Sequence, residues 1–187
     1  PTIGVDSQNN PLSWYALSEK FEKKGKKDKQ IDALKHAIAL RPDYYEAHYD
    51  LGKTLAYGKR DYVNGLAALE RAEALSKGNV YVNQMIAMCL TRIAPEQIRA
   101  GKLLDAAANY ERLSKLEPKN PEHLAALGEI ALRTGDTLKA AEYFQRALAL
   151  DPEFSTMWWH LNGLRKAGMN SEADRIKAFY KGRQILD

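Results

Sequence analysis

Histidine and cysteine are the side chains of this chain best suited to catalysis or metal binding, and their spacing favours neither role. The four histidines, His36, His48, His123 and His160, lie far apart and form no His-x-x-x-His pair, and Cys89 is the single cysteine. Zinc sites need closely spaced ligands, and the chain also carries no phosphate-binding loop and no nucleophile elbow. We therefore expect no enzyme activity, no metal and no cofactor.

Cys89 cannot form a disulfide within the chain, so the sequence leaves the redox compartment undetermined. We expect a buried thiol there, which is the usual state of a free cysteine. His48 stands at a position that Trp14 and Trp158 occupy in related stretches, so we expect a packed histidine and not a general base.

The composition limits the class of protein. The chain has 187 residues, of which 45% are hydrophobic and 28% charged, with a net charge of +4 and a pI near 9.0. No apolar run approaches the roughly 20 residues that span a bilayer, so we expect a soluble protein. No stretch alternates apolar and polar residues at the period of a strand, and the chain is predicted to be all-α.

A recurring stretch shows how the helices are organised. "GDTLKAAEYFQRALALDP", residues 135–152, places Ala140, Phe144 and Leu148 on one stripe of a helix that Pro152 ends. The same classes of residue recur 34 positions earlier, at Gly101, Ala106, Tyr110, Leu116 and Pro118. One helix pair cannot bury its own apolar face, so such pairs are expected to stack on each other.

The repeated pattern resembles the tetratricopeptide repeat. The match is best over residues 121–154, at Leu124, Leu127, Gly128, Ala131, Ala140, Phe144, Ala147 and Pro152. The resemblance implies a right-handed superhelical α-solenoid of about five antiparallel helix pairs. We place the lead-in or linker at 1–10 and a single array at 11–187, with repeats near 11–44, 45–79, 80–120, 121–154 and 155–187.

The last helix of the chain looks like a cap on the array. One side carries Ala173, Ile176, Phe179 and Tyr180, and the other carries Asp174, Arg175, Lys177 and Lys181. We expect the first side of this amphipathic C-terminal helix to pack on the array and the second to face water.

Two spacings depart from the period of 34 residues. Leu51 to Ile86 is 35 residues and Ile86 to Leu127 is 41. The larger excess falls around "TRIAPEQIRAG", where Pro95 is typical of a helix start, so we expect a lengthened second helix in the third repeat with Gly101 as its weak point. The alternative is an irregular loop that serves as a contact site. In the second repeat, which lacks a closing proline, Gly78 is expected to end the helix in a left-handed conformation.

The resemblance also implies a concave groove, lined mainly by the first helix of each repeat, that holds a peptide or partner helix. Transferred to this chain, its positions combine aromatic and charged residues: Tyr15, Glu19, Lys23, Tyr49, Lys53, Tyr57, Tyr81, Gln84, Met88, Arg92, Arg133 and Trp159. These twelve residues are called the predicted groove below. Tyr, Trp and Arg are enriched at binding hot spots, although individual tyrosines could instead pack between repeats.

Some members of this family hold the acidic tails of Hsp70 or Hsp90 chaperones in a carboxylate clamp of Lys and Asn residues. The corresponding positions here hold Tyr15, Glu19, Asp50, Tyr81 and Met85. The clamp is absent, and Glu19 and Asp50 would repel an acidic tail. We therefore do not expect these chaperone tails as partners.

A basic run, "EKKGKKDKQ" at residues 22–30, lies at a turn between helices. It is interpreted as a solvated turn, and the alternative is docking to an acidic protein, an anionic lipid surface or nucleic acid. Basic residues near the other end of the chain, among them Arg175 and Lys181, are too distant in the array to form one phosphate-tracking groove with it. Nucleic acid is therefore not favoured, while peripheral contact with a membrane stays open.

Together these patterns predict a non-catalytic interaction module that binds a partner protein or peptide and serves as a scaffold or adaptor in assembling a larger complex. The alternative is a self-assembling oligomeric scaffold or coat built through the repeat ends and the convex face. The first ten residues lack the features of a secretory signal. The compartment stays open: cytoplasmic, or periplasmic if a signal or anchor has been removed.

Overall fold

The computed structural model describes residues 8–151 and seven positions beyond them, namely 161, 165, 170, 171, 173, 174 and 177. Most of the described residues are helical and none of them is in a strand, which confirms the all-α prediction. No helix in this part of the chain is long and apolar enough to cross a membrane. Trp159 and most of the predicted C-terminal cap lie outside the described residues.

The helices follow one another with short connections, as in arrays of antiparallel helix pairs. In order they are α1 (Pro11–Lys23), α2 (Lys27–Leu40), α3 (Tyr45–Lys53), a π-helical segment (Thr54–Lys59), α4 (Tyr62–Leu75), α5 (Val80–Arg99), α6 (Leu103–Leu116), α7 (Pro121–Arg133) and α8 (Thr137–Leu150). Capping side chains fix the N-termini of several helices. Asn10 Oδ1 accepts a hydrogen bond from the Leu12 amide at 2.9 Å, and Asp136 Oδ1 accepts one from the Lys139 amide at 3.1 Å.

Left-handed residues make the turns within the helix pairs. Gly25, Gly101 and Gly135 have φ values of 65°, 74° and 83°, which glycine adopts without steric cost. The pair α3–α4 instead uses Arg60, with φ 57°. Gly78, with φ 79°, is left-handed as predicted, but it follows the C-cap of α4, which is Ser76.

The chain divides into two compact units, Pro1–Ile93 and Ala94–Asp187. In the first unit, Leu34, Ala37, Leu51 and Ala68 belong to the core, where α2, α3 and α4 meet. A Cβ added at Gly52 of α3 would lie 2.5 Å from Leu69 Cγ, so this glycine allows α3 and α4 to approach closely.

The second unit has its own core. Leu124 and Leu127 of α7 pack with Ala140 and Phe144 of α8, and Ala173 joins the same cluster. Small residues alternate with bulky ones, as expected for helices packed at short distance. Of the predicted cap, Ala173 is buried while Asp174 and Lys177 are exposed.

The one-residue excess of the second repeat is taken up by the π-helical segment. Leu34 of α2 and Leu69 of α4 occupy equivalent buried positions 35 residues apart, whereas Leu17 and Leu51 keep the spacing of 34. The extra residue therefore lies between Leu51 and Leu69, where the helix widens before the turn at Arg60. Such π-helical turns are often found at functional sites.

The prediction of a lengthened second helix in the third repeat is wrong. The first helix of that repeat, α5, is the long one: it has 20 residues and includes Pro95 in its interior, and Gly101 lies in the turn that follows it. Buried residues recur at helical spacing along α5, at Val82, Ile86, Cys89, Leu90 and Ala94. Burial of this apolar face stabilises the helix by more than is lost through the backbone hydrogen bond that Pro95 cannot donate. The alternative of an irregular loop over residues 91–101 is wrong as well, because α5 continues to Arg99 and a short turn follows.

Candidate functional site

A polar network joins α1 to α3 at positions of the predicted groove. The Tyr15 hydroxyl donates to Asp50 Oδ2 at 2.7 Å, and Lys53 Nζ lies 3.0 Å from Asp50 Oδ1 and 3.2 Å from Glu22 Oε1. Burial raises the pKa of Tyr15, and the hydrogen bond to the Asp50 carboxylate raises it further. Burial disfavours the charged form of Lys53, but Asp50 and Glu22 outweigh it and raise the pKa of the ammonium group.

Aromatic packing fixes part of the same face. The rings of Tyr15 and Tyr44 have centroids 5.1 Å apart, and the Arg41 guanidinium lies 3.5 Å from the Tyr44 ring centroid. The Tyr45 and Tyr49 rings stack at 6.3 Å, and the Tyr45 hydroxyl accepts a hydrogen bond from Asn79 Nδ2 at 2.8 Å. Tyr15 and Tyr49 are therefore partly used in packing.

Other predicted groove residues are open to solvent. Tyr57 is 65% exposed and Tyr81 is 70% exposed, and neither side chain has a hydrogen bond or ring contact with another described residue. Glu19, Lys23, Gln84 and Arg92 are exposed as well, while Met88 is half-buried. Tyr81, Gln84, Met88 and Arg92 share one side of α5, because they are spaced by three or four residues.

Ten of the twelve predicted residues, from Tyr15 to Arg92, belong to the first compact unit. Arg133 lies in the second unit, is exposed and forms an ion pair with Glu129. Trp159 lies outside the described residues. The candidate site therefore lies in the first unit.

A cavity of about 310 Å³ lies beside the π-helical segment. It is called the π cavity here and is lined by Glu22, Gly25, Lys27, Gln30, Lys53, Thr54, Tyr57 and Gly58. Lys27 Nζ donates to the Gly58 carbonyl at 3.0 Å, and Thr54 Oγ1 donates to the Asp50 carbonyl at 2.7 Å. Lys53 and Tyr57 belong both to this cavity and to the predicted groove.

A larger depression of about 580 Å³ lies on the other side of α3. Its floor is apolar and includes Ile38, Leu51 and Leu55, and its rim carries Lys35 and Arg71. Leu51 and Leu55 are on the face of the helix opposite to Tyr49 and Lys53, so the two hollows are separate.

Three residues of the basic run, Lys27, Asp28 and Lys29, make contacts with neighbouring helices. Lys59 Nζ lies 2.6 Å from Asp28 Oδ1, and Lys29 Nζ lies 6.0 Å from the centroid of the Phe21 ring. Lys27 points its ammonium group at the Gly58 carbonyl. The turn is thus tied to the π-helical segment, a role that the interpretation as a solvated turn did not include.

The described histidines are held by nearby acceptors. His36 Nδ1 lies 2.7 Å from the Asp32 carbonyl oxygen, and the imidazole stacks on Trp14 at 4.3 Å. His48 is buried, as predicted, with Nε2 2.9 Å from the Pro42 carbonyl oxygen. His123 Nε2 lies 2.6 Å from Glu117 Oε2.

Cys89 is buried, which confirms the prediction for this thiol. Its burial raises the pKa of the thiol to about 11, so the side chain is neutral at physiological pH. Nucleophilic cysteines have a lowered pKa and partial exposure, and Cys89 has neither.

Sequence reasoning missed Glu22, Asp50 and Gln30 as site residues. Glu22 and Asp50 hold Lys53 and Tyr15, and Gln30 lines the π cavity. A comparison of the second helices of the first two repeats would have given a signal. Ala37 and Ala72 are 35 residues apart, which places the inserted residue ahead of α4.

Comparisons with known proteins agree with the helix pattern. Family models described as "Tetratricopeptide repeat" match residues 12–44 and 91–153, together just over half of the chain. A curated relative, the mitochondrial ALBINO3-like protein 3 of Arabidopsis thaliana, is 28% identical over 159 residues. That alignment includes 79% of this chain but only 28% of the relative's length.

Solved structures share the fold at low sequence identity. The crystal structure of the MamA protein has a TM-score of 0.56 and 16% identity, and the match covers 94% of this chain and 91% of that one. YrrB, whose structure is described as "a TPR protein with an unusual peptide-binding site", also has a TM-score of 0.56, at 12% identity. The match to YrrB covers 91% of this chain and 84% of that one. These likenesses show a common fold of stacked helix pairs.

Proposed function

This chain belongs to the tetratricopeptide repeat family, and on that premise we propose that it binds a partner protein or peptide along the predicted groove and acts as a scaffold or adaptor in assembling a larger complex. The observation that carries the proposal is the exposure of Tyr57 and Tyr81, whose side chains have no partner among the described residues. Tyrosine offers large contact area at low entropic cost, which suits it to binding. The peptide-binding site named for YrrB supports the same class of partner.

The fixed part of the face supports this proposal. Tyr15, Asp50, Lys53 and Glu22 hold α1 against α3 through hydrogen bonds and ion pairs, so the surface between them is organised before a partner arrives. A preorganised surface loses less conformational entropy on binding. Tyr57 follows Lys53 by one turn of helix and would be an anchor at the edge of this fixed surface.

The proposal excludes catalysis by this chain and names no cofactor. It also excludes acidic chaperone tails, because Glu19 is exposed at a clamp position and Asp50 already holds Tyr15 and Lys53. Nucleic acid is not the proposed partner either, since Lys27 and Lys29 of the basic run lie against the Gly58 carbonyl and the Phe21 ring. A partner held mainly by phosphates would show an affinity that falls steeply with salt.

The test is a selection of peptides from a random displayed library against the full chain, followed by measurement of Kd by fluorescence polarisation. In a Tyr57→Ala/Tyr81→Ala variant, selected peptides should lose about tenfold or more in affinity. The matched control is Leu104→Ala/Leu138→Ala, which removes two residues that are 81% and 85% exposed outside the predicted groove. If no peptide is selected, or if the tyrosine variant binds as well as the control, the proposed groove is wrong.

Self-assembly is the second candidate. Leu104 of α6 and Leu138 of α8 are equivalent positions 34 residues apart, and both are exposed. Repeated exposed leucines favour association through the second helices of the repeats. Gel filtration over a wide concentration range tests this candidate: an assembling chain elutes earlier as concentration rises, and Leu104→Ser/Leu138→Ser abolishes the change.

A further inference from the structure

The net positive charge of the chain is concentrated in two turns of the first unit. Residues 22–30 and 59–61 contain seven Lys or Arg residues and three Asp or Glu residues, an excess of four positive charges. The whole chain has a net charge of +4, so its other residues are neutral overall. The Lys and Arg residues at 23–29 and 59–60 are called the basic edge below.

Two contacts hold the turn between α1 and α2 against the turn between α3 and α4. Lys27 Nζ donates to the Gly58 carbonyl oxygen at 3.0 Å, and Lys59 Nζ lies 2.6 Å from Asp28 Oδ1. A Cβ at Gly58 would lie 3.1 Å from Lys27 Cδ, so the glycine permits this approach. The positive charges of both turns therefore form one surface.

The basic residues at the start of α2 do not favour the stability of that helix. Lys26 is the N-cap residue and makes no capping hydrogen bond, whereas Asp61 and Asp136 cap α4 and α8. Lys27 and Lys29 follow in the first turn, where the helix dipole disfavours positive charge. Local choices that oppose stability are expected chiefly at functional sites, so the basic edge calls for a binding role.

Much of the basic edge is free to meet a partner. The side chains of Lys23, Lys24, Lys26 and Arg60 are exposed, and none of them has a hydrogen bond or ion pair to another described residue. The edge contains six lysines and one arginine. Lysine is a compact charge on a flexible stem, which suits the scattered carboxylates of an extended segment, whereas sites of fixed planar geometry favour arginine.

The π cavity connects the basic edge with the predicted groove. Lys27 lines the cavity from the basic edge, and Lys53 and Tyr57 line it from the predicted groove. The opposite charge lies further back along α1, where Glu19 is exposed. A bound segment would therefore be repelled by Glu19 if it were acidic there, and would be attracted if it were acidic beyond Tyr57. The side chains of a polypeptide can enter the cavity, whereas a flat bilayer surface cannot.

We propose that the basic edge binds an acidic segment of the partner protein, rich in Asp and Glu, which continues from the part that the predicted groove holds. This segment lies away from the clamp positions, where Glu19 and Asp50 would repel it. Attraction between such exposed charges speeds association and selects the partner more than it adds affinity. The continuation from the groove rests on the proposed function, whereas the binding of acidic residues by the edge does not.

The first test examines the basic edge without a groove partner. The ¹⁵N-labelled full chain is titrated with a peptide of alternating Glu and Gly residues and followed by ¹H–¹⁵N correlation spectra. We expect saturable shifts of the backbone amides of residues 23–29 and 58–61, with an affinity that falls as salt is added. A peptide of alternating Gln and Gly residues lacks the charge and should bind at least about tenfold more weakly.

Lys26→Asp separates binding from folding. The aspartate supplies the missing N-cap, so the thermal midpoint should rise, while the affinity for the Glu peptide should fall by about threefold or more. Lys102→Asp is the matched control. Lys102 is the exposed N-cap of α6 and also makes no capping hydrogen bond, and residues 96–105 around it have no net charge. Its thermal midpoint should rise likewise, and its affinity should stay unchanged.

Contrary results would overturn the inference. The absence of saturable shifts, or equal affinities of Lys26→Asp and Lys102→Asp, would mean that the edge holds no acidic segment. Retention of the unsubstituted chain, but not of Lys26→Asp, on phosphatidylserine vesicles or on oligothymidylate in salt that abolishes binding of the Glu peptide would assign the edge to a membrane or to nucleic acid. Peptides selected for the predicted groove without acidic residues would leave the proposed function intact and remove only the acidic continuation.

Discussion

The Tyr15 hydroxyl and the Asp50 carboxylate form a hydrogen bond of 2.7 Å between helices α1 and α3, across 35 residues of sequence. Asp50 also pairs with Lys53, which reaches Glu22 on α1. The first helices of two successive repeats are thus joined by polar side chains at the face where a partner is proposed to bind. This link holds the two helices together, so neither Tyr15 nor Asp50 can be replaced without loss of the hydrogen bond.

Tyr15→Phe should lower the free energy of unfolding by about 1–2 kcal/mol, because it removes a hydrogen bond to a charged group and keeps the ring that packs on Tyr44. The measurement is urea denaturation followed by circular dichroism. Tyr49→Phe is the matched control, since the Tyr49 hydroxyl has no hydrogen bond to a described residue, and its effect should stay within about 0.5 kcal/mol. Equal effects of the two substitutions would contradict the structural role of the Tyr15–Asp50 bond.

Arg60→Gly should stabilise the chain by about 0.5–1 kcal/mol, because Arg60 adopts the left-handed conformation that glycine adopts at Gly25, Gly101 and Gly135. The thermal midpoint of the variant should rise accordingly. Lys24→Gly is the control: Lys24 is exposed with φ −93°, so glycine there gains nothing and adds chain entropy to the unfolded state. A fall in stability for Arg60→Gly would show that the arginine side chain makes a compensating contribution.

The repeated helix pairs could be predicted from sequence because their signal is local. The sequence itself contains apolar residues at helical spacing and prolines after the helices. It also contains aromatic residues 34 positions apart, at Tyr110 and Phe144. The burial of His48 followed from the same register, whereas that of Cys89 was expected because free cysteines are usually buried. The division into five repeats and the positions of the predicted groove stay predictions.

The irregular parts could not be predicted, because they depend on competition between local and tertiary effects. Pro95 is typical of a helix start, yet the buried face of α5 carries the helix through it. The inserted residue near Tyr57 could have been accommodated in a loop, a bulge or a π-helical turn. The close packing of α3 against α4 at Gly52 and Gly65 favours the π-helical turn. The π cavity, with Gln30 inside it, follows from that choice.

Gly128→Ala should destabilise the second compact unit, although alanine favours helix. A Cβ at Gly128 would lie 2.7 Å from two ring atoms of the buried Phe144. Alanine gains about 1 kcal/mol in helix propensity, but overpacking costs about 1–3 kcal/mol, so we expect a net loss of up to about 2 kcal/mol in urea denaturation.

The double variant Gly128→Ala/Phe144→Leu identifies the cause of that loss. Leucine lacks the ring atoms that meet the new methyl group, so the double variant should lose less stability than the two single variants added together. Additive effects, or a stabilised Gly128→Ala, would mean that α7 and α8 can separate at little cost.

Cys89 should resist alkylation in the folded chain. It is buried, and its thiol has a pKa raised to about 11, so both access and thiolate formation are restricted near neutral pH. With iodoacetamide at pH 8, followed by mass spectrometry, labelling should be about a hundredfold slower than in denaturant. The control is an exposed thiol, Lys139→Cys in a Cys89→Ala background, which should react at the same rate in both conditions.

The same thiol gives the chain a stability that falls at high pH. The unfolded thiol ionises near its ordinary pKa of 9.0, whereas the folded one stays neutral until about 11. The buried neutral thiol therefore makes its full contribution to the free energy of unfolding below pH 9. This contribution is lost as the pH rises from 9 to about 11. Cys89→Ala should flatten the decline of the thermal midpoint between pH 9 and 11, and an unchanged decline would show that other groups, such as Tyr15 with its raised pKa, cause it.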